Sequence, residues 1–469
     1  MAKKIIKKHP LAIRWMHWFN FPLLTIMIWS GLMIYWANRV YSIDIGEYRL
    51  FHFFPEWVYK LLNLPYRLAE GMAYHFVFMW LFILNGFMYV TYTLVSGEWR
   101  YLVPQKNTLR DSWQVLLHDL KIRKTAPSFI KYNAAQRLAY TMIIVMGVGS
   151  VLTGFAIYKP IQYQWLMFLF GGYKTARLVH FYLTIGYVIF FVIHLLQVIR
   201  AGWNNFNAMI TGVEMTKAEV QPIPTDFARR TWISYAVFTV AGGAGYAAWR
   251  WLHQQPKSMQ LTGSILKPLR EGLEVNEKLF QALYSPKRLV QEYTRTEAAE
   301  IVRINGRVGL NPFPPDAPRW TLQIKRLNGE ILQLSLDDLR KLPKTEVVFE
   351  FKCIEGWSQI SAWAGVKLSD VLLHFGLTQE VDCQYVGMVT PDRQYYVGID
   401  MPSALHPQTI LSYEMNGQPL SISHGAPLRL IIPVKYGVKH LKRVGTIFFD
   451  NNKPADYWAE RGYDYYCGL

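Results

Sequence analysis

The chain has 469 residues, 51% of them hydrophobic and 15% aromatic, with a formal net charge of +17, and that length exceeds one ordinary domain. The charge is uneven: residues 1–251 carry 25 Lys and Arg against 10 Asp and Glu, whereas the remainder carries 25 against 23. The excess therefore sits in the half that holds the long apolar runs, which marks cytoplasmic loops beside membrane spans and argues against a nucleic-acid-binding face.

Five stretches are long enough to span a bilayer: Trp15–Trp36, Ala73–Val95, Leu138–Tyr158, Leu178–Ile199 and Thr231–Trp251. Trp and Tyr crowd their ends, as at a membrane interface. With the N-terminus inside, the inner connections carry 17 Lys and Arg and the outer ones 7, so the chain is expected to start in the cytoplasm and to emerge outside after the fifth span. No cleavable signal precedes the first span, which is therefore expected to stay in the mature protein. Two shorter aromatic runs in the outer loops, Leu50–Leu64 and Ile161–Phe170, are expected to lie at the interface.

Histidines mark these spans. His17 opens the first, His75 the second and His180 the fourth, with His194 deeper in the fourth. Fourteen helical steps bring His194 back to about 40° from His180 and about 21 Å along the axis, so both rings face one side. Following the direction of each span, His75 and His180 share an outer depth and His17 and His194 an inner one. Two bis-histidine sites are the expectation, because ionisable side chains inside a membrane are rare and usually functional.

The Arg14-Trp-Met-His17-Trp18 run, the Tyr132-Asn133-Ala-Ala-Gln136-Arg137 run and the spacing of His180 and His194 resemble the di-haem cytochrome b subunits of bacterial formate dehydrogenases, hydrogenases and thiosulfate reductases. The resemblance covers residues 8–215. It implies that His17, His75, His180 and His194 bind two b haems and that the subunit exchanges electrons with membrane quinone. His9, His52, His118 and His253 are expected at the surface.

The fifth span opens with Arg229-Arg230 before a mildly apolar Ala/Gly-rich stretch. Paired arginines there serve as a positive-inside anchor and also match the twin-arginine pattern that exports folded proteins. From Leu252 the composition becomes mixed in charge, with frequent Pro and Gly. Residues 252–300 are expected to form a helical, charged connector. Beyond them, short runs such as Trp320–Lys325, Val347–Phe351 and Leu428–Val434 indicate a soluble domain dominated by strands.

In that domain Cys353 stands just after a strand, in Glu350-Phe-Lys-Cys353-Ile-Glu-Gly-Trp-Ser358. Together with Trp363-Ala-Gly365, His424-Gly425-Ala-Pro427-Leu-Arg429 and Tyr436-Gly437-Val-Lys439-His440-Leu-Lys442, the stretch resembles the sulfite-oxidase superfamily of molybdopterin enzymes over residues 300–469. The resemblance implies that Cys353 is the catalytic cysteine and the thiolate on molybdenum, a soft ligand suited to that metal. It further implies that His424, Arg429, Lys439, His440 and Lys442 hold the pterin and its phosphate, with Arg303, Asn305 and Thr390 as additional contacts. No CxxC or Cys/His finger spacing is present, and Cys383 and Cys467 are left either as a disulfide outside the cytoplasm or as buried thiols.

Two departures bear on the substrate. The chain ends 27 residues after Lys442, leaving no room for the dimerisation domain of true sulfite oxidases, and Ile354, Glu355 and Gly356 stand where those enzymes carry arginines after the metal cysteine. The shorter form is closer to the periplasmic methionine-sulfoxide reductases. The expected architecture is thus a membrane all-α helical bundle of five transmembrane helices followed by an extracytoplasmic α+β, mainly β, sulfite-oxidase-type molybdopterin domain. Its expected parts are a di-haem cytochrome domain at 1–215, a signal-anchor helix at 216–251, the connector at 252–300 and the molybdopterin domain at 301–469. The expected cofactors are two haem b, molybdenum with molybdopterin, and quinone as mobile carrier. Membrane lipid, quinone and a small-molecule or protein sulfoxide are the expected partners, a homo-oligomer stays open, and the bacterial inner membrane is the expected location. Quinol-driven reduction of a sulfoxide is the leading expectation; oxidation of a sulfite-like substrate and a pure electron conduit to a partner protein are the alternatives.

Overall fold

The computed structural model describes residues 3–45, 48–125, 132–217, 226–256, 265–311 and 320–469. The chain divides into two compact units. The first comprises residues 1–29, 77–157 and 170–255, and the second residues 30–76, 158–169 and 256–469.

Four helices are long and apolar enough to cross a membrane by length and composition: α1 (Leu11–Tyr35), α2 (Leu68–Val95), α3 (Ala134–Tyr158) and α4 (Tyr173–Ala201). Each extends the expected apolar run by a turn or so at its start, because the flanking polar residues continue the backbone ladder into the interface zone. The fifth expected span forms one helix, α5 (Asp226–Gln254), but does not join the four. Its centre, Ala241-Gly-Gly-Ala-Gly245, is only weakly apolar.

In the first unit, the strand Lys3–Lys7 pairs antiparallel with Val213–Lys217. A short helix, Trp203–Thr211, leads into that pairing and ends at Gly212 in the left-handed region. Arg14 donates to the carbonyl of Ile210, and the Trp18 indole donates to Met209 O at 3.0 Å, so this helix fixes the start of α1.

The second unit is a two-sheet domain. Its strands are β1 (Leu322–Lys325), β2 (Ile331–Leu334), β3 (Lys344–Lys352), β4 (Ser358–Lys367), β5 (Tyr385–Val389), β6 (Tyr396–Asp400), β7 (Ile410–Met415), β8 (Gln418–Pro419), β9 (Arg429–Ile431) and β10 (Thr446–Asp450). One sheet runs β6-β5-β10-β1-β2, in which only β10 and β1 are parallel. The other runs β8-β7-β4-β3, with β9 also pairing β7. Buried Val, Ile, Leu, Phe and Trp side chains from both sheets form one continuous core, which is the ordinary way for two sheets to remove apolar surface from water.

Within the expected connector, helix α6 (Lys267–Ala282) buries Leu269, Leu273 and Phe280. Its Arg270 donates to the carbonyls of Tyr463 and Ala459, and Glu277 pairs with Lys453 at 2.7 Å. This segment is therefore part of the second unit's core. The two shorter aromatic runs, with the residues just before the first, fold as a hairpin, Ser42–Ile45 with Tyr48–His52, and two short helices, Glu56–Leu61 and Gln164–Leu169. Tyr48, Leu50, Phe51, Trp57 and Leu61 stay exposed on the first of these runs, whereas Leu166 and Met167 are buried.

Candidate functional site

Cys353 leaves β3 into a tight turn closed by Cys353 N–H on Trp357 O and Gly356 N–H on Cys353 O, both at 2.9 Å. Gly356 sits at φ +89°, a conformation costly for a residue with a Cβ. The chain then returns as β4, nine paired positions against β3. The thiol is buried, and burial pushes its pKa up to about 12. A thiolate therefore needs a strong cation beside it, and a coordinating metal is such a cation. Glu355 Oε2 lies 3.9 Å from Cys353 Sγ and accepts from the Trp357 indole at 3.0 Å.

Beside this turn lies a cleft of about 210 Å³ lined by Arg303, Asn305, Phe351, Trp357, Trp363 and Arg429, among others. Phe351 ends one strand, while Gln359, Ser361 and Trp363 alternate along the next, so one pleated face supplies the wall. Arg429 reaches this wall from β9. Its guanidinium lies 4.7 Å from the Trp363 ring centre and 5.7 Å from that of Phe351, and donates to His424 O at 3.2 Å and Asn305 Oδ1 at 3.0 Å. Asn305 in turn donates to Gly437 O at 3.4 Å, which fixes its amide. Arg303 lies over Trp357 at 4.6 Å.

His424 ends a single 3₁₀ turn, and Gly425 follows at φ +101°. Lys442 Nζ donates to Gly306 O and Ser423 O, both at 2.8 Å. Cations are thus gathered here on neutral carbonyls. Burial, then the neighbouring Arg429 and Arg307, pull the Lys442 pKa down to about 7; burial pulls Arg429 down to about 9. Burial, then Arg429 and Lys442, lower His424 to about 4. Arg429 Nε and His424 Nδ1 are buried without a hydrogen-bond partner among the described residues. Buried polar atoms left unmatched in this way cost stability unless a ligand completes them. An anionic cofactor rich in acceptors fits that donor set.

The other three expected contacts have partners inside the fold. Lys439 is buried against Asp456 and donates to Gly398 O at 2.9 Å. His440 donates from Nε2 to Lys435 O at 3.2 Å and packs between Phe349 and Phe351, with burial driving its pKa down to about 3. The Thr390 hydroxyl bonds Asp392 at 2.6 Å and Tyr395 O at 3.1 Å. Cys383 and Cys467 are buried free thiols rather than a disulfide. Trp357, Trp363, Gln359 and Glu355 escaped the sequence reading as site residues. The alternation of Gln359, Ser361 and Trp363 was the available signal.

In the first unit, the His17 and His194 rings face each other with centres 6.0 Å apart. Two imidazoles bound to one metal from opposite sides, each with its nitrogen about 2 Å away, hold their ring centres about 6 Å apart. The pair therefore fits a bis-histidine iron. His194 stacks on Phe190, and His17 meets Trp18 edge-on. Among the described residues, no group of three or more His, Cys, Asp or Glu side chains could hold a metal by itself.

Comparison with known proteins finds two families in succession along the chain. Residues 8–212 match the prokaryotic cytochrome b561 family, and residues 310–458 match the oxidoreductase molybdopterin binding domain. Two proteins of Azospira oryzae named YedZ1 are 34% and 33% identical to this chain, over 40% and 42% of it and over 70% and 93% of their own lengths. The protein-methionine-sulfoxide reductase catalytic subunit MsrP of Xanthomonas axonopodis is 32% identical over 37% of this chain and 60% of that protein. These families bring haem b to the helical part and molybdopterin to the sheet part. The chain belongs to the YedZ1-type cytochrome b family, and its membrane cytochrome is fused to a sulfite-oxidase-family molybdopterin domain, which makes it a molybdopterin-dependent oxidoreductase.

Proposed function

We propose that the protein is a quinol-driven reductase of sulfoxides or similar small oxo-acceptors, held in the bacterial inner membrane with its molybdopterin domain on the outer side. The observation that carries this reading is the buried Cys353 thiol in a strand-to-strand turn beside a cleft whose Arg429 is held by the Asn305 amide oxygen and the His424 carbonyl. The printed name of the Xanthomonas relative supports the substrate class. The Lys/Arg distribution supports an inner N-terminus, and a fifth span at α5 with Arg229 and Arg230 at its start supports export of the folded domain.

In this reading Cys353 is the protein thiolate on molybdenum, and Arg303, Asn305, His424, Arg429 and Lys442 hold the pterin and its phosphate. Lys439, His440 and Thr390 brace the backbone that carries those contacts. Phe351, Trp357 and Trp363 keep water from one side of the cleft. Glu355, a carboxylate next to the sulfur, disfavours anionic substrates such as sulfite. His17 with His194, and His75 with His180, ligate two b haems, the second pair being assigned by depth along the spans. When bound, molybdenum supplies oxygen-atom transfer and the haems supply one-electron carriage.

The test is to reduce the purified full-length protein with a quinol analogue and follow the haem spectrum as candidate oxidants are added. Reoxidation by methionine sulfoxide or dimethyl sulfoxide is expected. Reduction of oxidised haem by sulfite, with no reoxidation by any sulfoxide, would reverse the direction assigned here.

A further inference from the structure

Two of the four histidines are gripped in the same manner by different helices. In the second unit, Ser30 Oγ lies 3.0 Å from Nδ1 of His75, and a Cβ built on the next residue, Gly31, would stand 3.4 Å from Cε1 of that ring. In the first unit, Thr153 Oγ1 lies 2.8 Å from Nδ1 of His180, and a Cβ on Gly154 would stand 3.5 Å from Cε1. A hydroxyl followed by a glycine thus meets an imidazole edge twice, once from α1 and once from α3. The glycine matters for room: a Cβ there would already touch the ring, and anything longer would push it away.

The Thr153 hydroxyl proton has a destination of its own, Gly149 O at 2.6 Å. Its oxygen is therefore left to accept. It follows that His180 carries its proton on Nδ1, with Thr153 Oγ1 and the Ser150 carbonyl as its acceptors, and presents the lone pair of Nε2. His17 differs, since its Nδ1 is buried with no hydrogen-bond partner.

We propose that Ser30 and Thr153 are positioning residues for His75 and His180: each hydroxyl accepts the Nδ1 proton, fixes Nε2 as the ligand nitrogen, and makes its imidazole a stronger electron donor than that of His17. An acceptor on the far nitrogen raises the basicity of a metal-bound histidine. A more strongly donating axial ligand stabilises oxidised iron, so the haem served by His75 and His180 takes the lower reduction potential for its ligand type. The inference rests on the haem-ligand reading given above.

The test is a redox titration of the haem spectra in the full-length protein. Thr153→Val keeps the side-chain shape and removes the acceptor, Thr153→Ser keeps the acceptor, and Ser30→Ala removes the counterpart at His75. The expected result is an upward shift of one haem midpoint in Thr153→Val, of the same midpoint in Ser30→Ala, and a return toward the native value in Thr153→Ser. Loss of that one haem in Thr153→Val together with its retention in Thr153→Ser supports the proposal equally. Unmoved midpoints in both Thr153→Val and Ser30→Ala, or the same shift in Thr153→Ser as in Thr153→Val, overturn it. His180→Ala separates the two levels. Retention of both haem signals in that variant sinks the ligand assignment itself, whereas loss of one, alongside unmoved midpoints in Thr153→Val and Ser30→Ala, sinks only the positioning role.

Discussion

Arg429 Nη2 donates to Asn305 Oδ1 at 3.0 Å across 124 residues of chain, tying the start of β9 to the irregular segment that forms the opposite lip of the cleft. The bond orients both groups at once, because Asn305 is also anchored on Gly437 O. Arg429→Lys keeps the charge but loses the fork and its stacking on Trp363. Hydrogen bonds to charged groups contribute about 1.5–3 kcal/mol each, so retention of molybdopterin is expected to fall by about one to two powers of ten. Pterin and molybdenum content of the purified variant, compared with its unchanged haem content, is the measurement.

Lys442 gives the cofactor-free protein a pH signature. Its pKa is lowered to about 7 in the fold, against an ordinary value of 10.5. Below pH 7 the lysine is protonated both folded and unfolded, and the buried charge penalises the fold in full. Between about 7 and 10.5 the unfolded chain holds more protons than the folded one, so stability rises with pH; above that window the penalty is gone. Protein made without molybdopterin should therefore lose part of this destabilisation between pH 7 and 10, as read from its thermal midpoint. Lys442→Met should flatten that rise, and an identical slope in the variant would assign it to other groups.

The buried Lys439–Asp456 pair makes the contrasting case. Lys439→Met leaves Asp456 as an uncompensated charge, and breaking a buried pair from one side costs about 3–5 kcal/mol. A large drop in the denaturant midpoint of the sheet domain is expected, and Lys439→Met with Asp456→Leu should recover much of it.

These three residues show where the sequence was legible and where it was not. Lys439, His440 and Lys442 read as one basic motif, yet after the Gly437–Lys439 turn the first two bond Gly398 O and Lys435 O in the core, whereas Lys442 reaches Gly306 O, next to Asn305. A local pattern carries no information about which side of a non-repeating turn faces the core. Four of the five expected spans, by contrast, were legible, because a run of about twenty mostly apolar residues has few alternatives; the fifth, with its Ala/Gly centre, falls short of them. Helical period and span direction also gave the expectation that His17 and His194 lie at one depth, and their ring centres are 6.0 Å apart. The cleft wall needed strand pairing: Phe351, Trp363 and Arg429 come together only when β3, β4, β7 and β9 adopt their register.

His17→Ala removes one of two rings whose centres stand 6.0 Å apart. On the two-haem reading proposed above, about half of the b-haem absorbance should disappear, because one histidine alone would hold iron weakly, while molybdopterin content stays unchanged. His194→Ala should produce the same spectrum. Two different residual spectra would mean that the rings belong to different sites.

Cys353→Ser separates chemistry from assembly. The substitution is nearly isosteric, and the turn is held by backbone bonds from Cys353 N–H to Trp357 O and from Gly356 N–H to Cys353 O, which serine keeps. The proposed pterin contacts, Arg429, Asn305 and Lys442, are held by bonds to Asn305 Oδ1 and Gly306 O, none of which needs the sulfur. A hydroxyl is a much harder ligand than a thiolate, so its bond to molybdenum is poorly matched. Turnover with a sulfoxide should therefore be lost while pterin is retained and the haems remain reducible by a quinol analogue at the native rate. Stopped-flow reduction of the haems, followed by addition of oxidant, reads both halves in one trace: normal reduction without reoxidation is the expected result. Native-rate reoxidation in this variant would move the chemistry away from the Cys353 turn.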